Sequence, residues 1–190
     1  SEHQIRSLVD PSAKCKVYLI HGDLSDQEMV GLYSHNKVKA LICISNAEGW
    51  GLPIYEASYT GLPVVSINWG GQTDFLNATV RERKKGSKKK TSISSKALFT
   101  EVDYTIGPIQ EEAVWEGVLV KDSLWAYPEK ESYQNALDKV YKNYDNCKDM
   151  AKKLKTWVKK EYEPDKQYDA FASVVLPAEE KVEEPVVSFD

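Results

Sequence analysis

The sequence predicts an α/β domain with a doubly wound parallel sheet and C-terminal helices, and three observations support this prediction. Short apolar runs of strand length alternate with helical segments over the first 77 residues. These runs are largely apolar throughout, as in strands that are covered on both faces. Capping or proline signals mark the helix starts. Alternation of this kind is typical of parallel sheets whose strands are joined by crossover helices.

Each element of the first half has its own signal. Residues 16–20 and 38–44 are the first two apolar runs, and Ser25 with Glu28 has capping-box spacing before a helix. Pro53 has φ preset for the start of the next helix. The predicted elements in chain order are a strand at 16–20, a helix from 25 to about 33, a strand at 38–44, a helix at 53–59, a strand at 64–67 and a short helix at 72–77.

A dense basic run at residues 81–90 interrupts the alternation and continues into a polar segment. Self-repulsion and the lack of apolar side chains favour a mobile loop over residues 79–97. An electrostatic arm for an anionic acceptor, such as a phosphorylated glycan, a nucleic acid or a lipid head group, is the functional alternative.

The second half is predicted to be strand-like at residues 99–104 and 115–120, within irregular structure that extends to residue 128. Helical spacing of apolar residues then predicts two amphipathic helices, and a shorter last helix follows them. These helices cover residues 131–144, 146–162 and 168–175. We expect one domain at residues 1–175 and an acidic tail of disordered composition at residues 176–190.

Composition excludes several classes of protein. A net charge of −4 argues against attraction of the whole chain to nucleic acid or membranes. The sequence has no transmembrane-length apolar run and no signal-peptide pattern. Three dispersed cysteines favour a reduced, cytoplasmic protein. Without a ligand cluster we expect no metal and no cofactor.

The segment E-G-W-G-L-P-I-Y-E-A at residues 48–57 joins a predicted strand to a predicted helix. Gly49 and Gly51 permit a sharp bend, and the helix is predicted to begin at Pro53. Free N–H groups at a helix start favour anions, and ligands of open α/β sheets gather beyond the carboxyl ends of strands. The turn is therefore a candidate phosphate site.

Two carboxylates flank this turn, Glu48 before it and Glu56 in what we predict to be the first helical turn. Ionised carboxylates only accept hydrogen bonds and so suit sugar hydroxyls. We expect both to point into one crevice, where they match a ligand with a sugar at each end of a diphosphate. A purely structural interpretation remains open, since the helix dipole favours a glutamate at Glu56 and Trp50 is large enough to cap the core.

The same segment resembles the E-x7-E motif of retaining glycosyltransferases of the GT-B fold, particularly the family 4 group. Every position of the pattern E-G-[FW]-G-L-P-x-x-E-A is matched. The strand G-L-P-V-V at residues 61–65 and the glycine-rich loop at residues 70–76 are also similar, and the resemblance covers roughly residues 17–76. It implies a Rossmann-like domain that forms one half of a GT-B enzyme and binds a nucleoside-diphosphate sugar without a metal. In GT-B enzymes a C-terminal helix often crosses back to the partner domain, so the resemblance also implies an exposed apolar face on the helix at residues 168–175.

The resemblance also implies a role for each matched residue. Glu48 would be the catalytic residue that holds a hydroxyl of the donor sugar near the reaction centre, and Glu56 would bind the ribose hydroxyls. The other donor-binding positions would be the turn and helix start at Trp50, Gly51, Leu52 and Pro53, the far wall of the cleft at Gly70 and Gly71, and the region of the base at His21 and Gly22.

One departure from the family pattern limits the activity that is expected of this chain. The acceptor-binding N-terminal half and the first strand of the donor half are not seen, so we expect the acceptor domain in the same or a separate chain and no activity from this chain alone. The alternatives are a non-catalytic nucleotide-sugar-binding or assembly subunit and a GT-B epimerase of nucleotide sugars.

Overall fold

The computed structural model describes residue 7 and residues 9–83 and 91–176. In chain order the elements are α1 (Asp26–Ser34), β1 (Leu41–Cys43), α2 (Leu52–Thr60), β2 (Val64–Ile67), α3 (Thr73–Leu76), β3 (Asn77–Arg83), β4 (Thr91–Ala97), β5 (Thr100–Val102), β6 (Tyr104–Pro108), a 3₁₀ turn (Glu111–Ala113), β7 (Leu124–Pro128), α4 (Lys130–Lys142), α5 (Tyr144–Glu161) and α6 (Pro164–Val175).

A parallel sheet with the strand order β1-β2-β5 forms the centre of the domain. Its register places Leu41 opposite Val64 and Val65 opposite Thr100. All four residues of β2 are buried, which fits a strand covered on both faces and made of three apolar residues and Ser66. The predicted α/β class with a parallel sheet is confirmed, and the carboxyl ends of all three strands lie at one edge.

Successive residues of β2 point to opposite faces of the sheet, and helices cover both of these faces. Val64 packs in one cluster with Ile54 and Ala57 of α2 and with Leu154 of α5. Val65 packs in a second cluster, with Ala136 and Val140 of α4. The two clusters give the layered core of a doubly wound domain.

The strand predicted at residues 16–20 is wrong. These residues have no regular secondary structure, and no strand pairs with β1 on its second side within the described residues. The side chain of Tyr18 is 78% exposed and that of Ile20 is 64% exposed. An apolar run becomes a strand only where a neighbouring strand and a covering layer bury it, and no described element covers this one.

Helix α1 begins with the predicted capping box. The Ser25 N–H donates to Glu28 Oε2 at 2.8 Å, and the Glu28 N–H donates to Ser25 Oγ at 3.4 Å. The backbone N–H of Ser25, together with its hydroxyl, lowers the pKa of the Glu28 carboxyl below its usual value. The helix ends at Ser34, one residue beyond the predicted end.

The loop predicted over residues 79–97 is also wrong where the structure describes it. Strands β3 and β4 pair as an antiparallel hairpin, with Asn77 opposite Ala97. The base of the hairpin is anchored in the core, since Ala78 and Leu98 are buried and the Leu98 N–H donates to Leu76 O at 3.1 Å. Residues 84–90 of the basic run lie outside the described residues.

The segment between β5 and α4 differs from the predicted irregular structure. Strands β6 and β7 form an antiparallel hairpin, and the strand predicted at residues 115–120 is instead a turn that Trp115 and Leu119 bridge. The alternation of apolar and polar residues that indicates a strand is not visible in this segment, because prolines, glycines and exposed apolar residues are interleaved. Helices α4 and α5 confirm the predicted pair, whereas α6 begins at Pro164, four residues earlier than predicted.

No residue of α6 is buried, which confirms the predicted exposed apolar face. No helix of the described residues is long and apolar enough to span a bilayer. The predicted tail begins at Leu176, the last described residue, and residues 177–190 lie outside the described part. The domain limits at residues 1–175 stay a prediction.

Two lysines of α5 hold the C-terminal end of α2. Lys148 Nζ donates to Gly61 O at 2.9 Å, and Lys155 Nζ donates to Thr60 O at 3.2 Å. Gly61 caps the helix with φ at 82°, in the left-handed region that glycine adopts without strain. The lysines satisfy carbonyl groups that the helix leaves without an N–H partner.

Candidate functional site

The turn between β1 and α2 places helix N–H groups at the carboxyl edge of the sheet. Gly51 is the N-cap, with φ at 82°, and no side chain caps the helix. Helix α2 begins at Leu52, so Glu56 lies in the second turn rather than the predicted first turn. The N–H groups of Trp50, Gly51 and Leu52 donate to no acceptor in the described part of the chain.

A second glycine loop packs directly against this turn. The Gly71 N–H donates to Glu48 O at 3.0 Å. A Cβ atom on Gly71 would lie 2.0 Å from Gly49 O, and one on Gly70 would lie 2.9 Å from Glu48 O. Neither position has room for a side chain, so the two loops form one continuous backbone surface.

Glu48 is half-buried at the end of β1, with one carboxylate oxygen engaged. The Ser45 hydroxyl donates to Oε1 at 2.7 Å, and the Cys43 thiol lies 3.8 Å from the same oxygen. Both contacts come from the strand end and the turn that carry Glu48. The geometry leaves Oε2 without a hydrogen-bond donor among the described residues.

Glu56 lines a pocket of about 250 Å³ between α1 and α2. Tyr33 and Tyr55 also line this pocket, together with the apolar Met29 and Val30. Burial, then the charge of Glu56 and a hydrogen bond to its carboxylate, raise the pKa of Tyr33 above its ordinary value. The Tyr33 hydroxyl therefore lies beside the Glu56 carboxylate at this pocket.

Residues 12–103 match the family model for glycosyl transferases group 1. The match covers slightly less than half of the chain. The comparisons with curated proteins and with solved structures gave no match.

The group 1 match supports a glycosyltransferase domain and sugar transfer in general. It spans the turn, both carboxylates and the second glycine loop, and it ends just after β5. The hairpin β6–β7 and helices α4 to α6 lie beyond it.

Within the matched segment, the two carboxylates have different surroundings. Glu48 contacts Ser45 and Cys43, whereas Glu56 contacts Tyr33, and Glu48 does not line the pocket that contains Glu56. The two carboxylates thus have different neighbours, and the expectation that both point into one crevice stays a prediction. The glycine loop at Gly70 and Gly71 joins the Glu48 side.

Trp50 contributes its side chain to packing. Its ring lies 5.2 Å from Phe75 and 5.6 Å from Tyr162, measured between ring centroids. The Trp50 side chain thus packs on this cluster while it remains 38% exposed, and the role of its backbone N–H stays a prediction. Leu52 and Pro53 are also exposed at the helix start.

For Gly22 the structure describes no contact with the turn, and its place near the base stays a prediction. It follows the uncovered segment at residues 16–20, and the space that a Cβ atom would occupy contains no atom within 4 Å. Neither Gly22 nor its neighbour His21 has a contact with the turn among the described hydrogen bonds.

Residues that the sequence did not single out complete the site. Asn46 Nδ2 donates to Ala126 O at 2.9 Å, and the Ala126 N–H donates to Asn46 O at 3.1 Å, which ties β7 to the turn. The spacing S-x-x-E points to Ser45, since a serine three residues before a turn glutamate is within reach of it. The pairing of Asn46 with a residue 80 positions away has no local signal.

No group of three His, Cys, Asp or Glu side chains that could hold a metal ion occurs within residues 9–83 and 91–176.

Tyr162 connects the end of α5 to the second glycine loop, because its hydroxyl donates to Asp74 O at 3.0 Å. Burial, and then the charges of Asp74 and Glu161, raise the pKa of Tyr162 from its ordinary value of 10.0 to about 12. The folded state therefore favours the protonated phenol. Its stabilising contribution is complete below pH 10 and is lost as the pH rises from about 10 to 12.

We expect the free energy of unfolding to fall between pH 10 and 12, and to fall less steeply in Tyr162→Phe. At pH 8 the substitution removes one hydrogen bond and costs about 1 kcal/mol. Urea unfolding at a series of pH values measures both effects. Tyr141→Phe is the matched control, since the Tyr141 side chain is 86% exposed, and equal slopes for the two variants would contradict the prediction.

Proposed function

We propose that this domain binds the donor of a retaining glycosyltransferase, a nucleoside-diphosphate sugar. The observation that carries the proposal is the set of N–H groups at Trp50, Gly51 and Leu52, with Glu48 before them and Glu56 after them. The diphosphate lies at these N–H groups, where the positive end of the helix dipole favours negative charge.

The two carboxylates then assign the two ends of the donor. The ribose hydroxyls lie in the α1–α2 pocket and donate to Glu56, while a hydroxyl of the transferred sugar donates to Glu48. The pocket beside Glu56 has an apolar lining from Met29 and Val30, which suits a ring that carries hydroxyls on one edge. The match to glycosyl transferases group 1 supports sugar transfer in general, without naming the donor.

Transfer requires an acceptor domain, which we propose lies in the same or a separate chain. An acceptor hydroxyl approaches the anomeric carbon on the face from which the diphosphate leaves. The bond between the anomeric carbon and the phosphate oxygen breaks, the bond to the acceptor oxygen forms, and the acceptor proton passes to the leaving diphosphate. The N–H groups of the helix start stabilise the charge that develops on that leaving group, so this scheme requires no metal.

The acceptor is an anionic molecule in one form of this proposal. Strand β3 includes residues 81–83 of the basic run, and residues 84–90 lie outside the described residues. A dense run of positive charge attracts phosphorylated acceptors and steers their approach.

Thermal denaturation with UDP, GDP and ADP and with their sugar conjugates tests the proposed function. At a concentration of 100 times Kd, mass action stabilises the fold by about 2.7 kcal/mol, which raises Tm by about 5–10 °C. Glu56→Gln removes the ionised acceptor for ribose and reduces the shift to roughly a third.

Glu112→Gln is the matched control, because it removes one exposed carboxylate in the 3₁₀ turn, far from α2 in sequence. We expect Glu112→Gln to keep the full ligand-induced shift in Tm. The proposal is wrong if none of these ligands stabilises the wild-type chain, or if Glu56→Gln keeps the same shift as the control.

A further inference from the structure

The backbone that carries Glu48 is held at both ends of its turn. Asn46 exchanges two hydrogen bonds with Ala126 of β7, at 2.9 and 3.1 Å. The carbonyl oxygen of Glu48 accepts the Gly71 N–H at 3.0 Å. Because the backbone is fixed on both sides, the side-chain torsions of Glu48 are its main remaining freedom.

The Ser45 hydroxyl removes that freedom. It donates to Glu48 Oε1 at 2.7 Å, a short distance typical of a hydroxyl bonded to an ionised carboxylate. The Cys43 thiol, at the end of β1, lies 3.5 Å from Ser45 Oγ and 3.8 Å from Glu48 Oε1, so it contacts both atoms of this hydrogen bond. Ser45 and Cys43 thus occupy one oxygen of the carboxylate.

The second oxygen is left for another partner. No donor lies on Oε2 among the residues that the structure describes, and the carboxylate is half-buried rather than free in solvent. An ionised carboxylate oxygen only accepts hydrogen bonds, so Oε2 is open to the hydroxyl of a ligand.

We propose that Ser45 is a positioning residue, which fixes Oε1 of Glu48 so that Oε2 faces a hydroxyl of the transferred sugar. This inference rests on the proposed function. Ser45 acts only through the Glu48 carboxylate, which contacts the sugar end of the donor. Ser45 therefore makes the site bind the sugar-bearing donor more tightly than the bare nucleoside diphosphate. The ribose end, at Glu56 and Tyr33, does not depend on it.

Binding of matched ligand pairs tests the inference. Calorimetry with UDP and UDP-glucose, GDP and GDP-mannose, and ADP and ADP-glucose gives the affinity ratio of each sugar donor to its nucleotide. We expect Ser45→Ala to weaken the sugar donor about tenfold and to leave the nucleotide within about twofold. Ser45→Thr keeps the hydroxyl and restores most of the ratio, and Ser173→Ala on α6 leaves it unchanged.

A merely structural role for Ser45 predicts a different result. If Ser45→Ala weakens both members of a pair equally, or neither of them, the inference is overturned. The Tm of each unliganded variant shows whether the fold is retained, and Ser45→Thr provides a second variant if the alanine variant does not fold.

Crystal structures of the unliganded wild type and Ser45→Ala separate this inference from the proposed function. We expect one Glu48 rotamer in the wild type, and several rotamers or a turned carboxylate in the variant. If no nucleotide binds the wild type, the proposed function fails. An unchanged Glu48 rotamer in Ser45→Ala refutes the positioning role whether or not a ligand binds.

Discussion

Gly71→Ala is expected to lower the free energy of unfolding by about 3 kcal/mol or more, since the added methyl group overpacks a backbone contact. Its Cβ atom would lie 2.0 Å from Gly49 O, 2.6 Å from Gly49 C and 2.8 Å from Trp50 Cα. All three are backbone atoms, so no side-chain rotation relieves the overlap. The two loops must separate, and the hydrogen bond from the Gly71 N–H to Glu48 O is lost with them.

Urea unfolding monitored by tryptophan fluorescence measures the change, with Gly49→Ala as the matched control. A Cβ atom on Gly49 has no atom within 4 Å, and the φ of Gly49 is not in the left-handed region. The control removes a glycine from the same pair of loops without overlap, and we expect its effect to stay below about 1 kcal/mol. A Gly71→Ala variant as stable as Gly49→Ala would show that the loops do not pack as described.

Phe75→Ala is expected to cost about 3–5 kcal/mol, because it empties a large volume in the core. Phe75 is fully buried, and its ring centroid lies 5.2 Å from that of Trp50 and 5.4 Å from that of Tyr55. These neighbours belong to the turn and to α2, so the cavity would loosen the elements that present the free N–H groups.

Phe171→Ala is the control of the same chemistry, since the Phe171 side chain on α6 is 68% exposed in this chain. We expect it to change stability by no more than about 0.5 kcal/mol. Thermal and urea unfolding of both variants measure the difference. Comparable losses from the two substitutions would mean that Phe75 is not central to the core or that α6 is packed in solution.

The central elements could be predicted from local signals, whereas the segments whose structure depends on a neighbouring strand could not. The apolar run of β2 and the capping box of α1 identify elements whose burial or capping the structure retains. The run at residues 16–20 carries the same apolar signal but lies exposed, because burial depends on a partner strand and not on composition. Strand β3 shows the converse, since a buried residue, Ala78, anchors a segment whose charges indicate a loop.

The candidate site could likewise be predicted only in part from the sequence. The turn glycines and Glu48 could be located from sequence, because bend and carboxylate lie within ten residues. The Tyr33 hydroxyl at Glu56 and the pairing of Asn46 with Ala126 depend on elements that meet only in the folded chain. The start of α2 at Leu52 also could not be fixed by Pro53, since proline is tolerated throughout the first helical turn.

The lysine contacts at Thr60 and Gly61 affect the electrostatic potential along α2. A free helix has a negative pole at its C-terminal end, but here two ammonium groups lie on the terminal carbonyls. The helix has nine residues and is about 13 Å long, so these charges are close to the N-terminal end through a packed interior. The two ammonium groups therefore offset the negative pole of α2, which would otherwise oppose an anion at the N-terminal end.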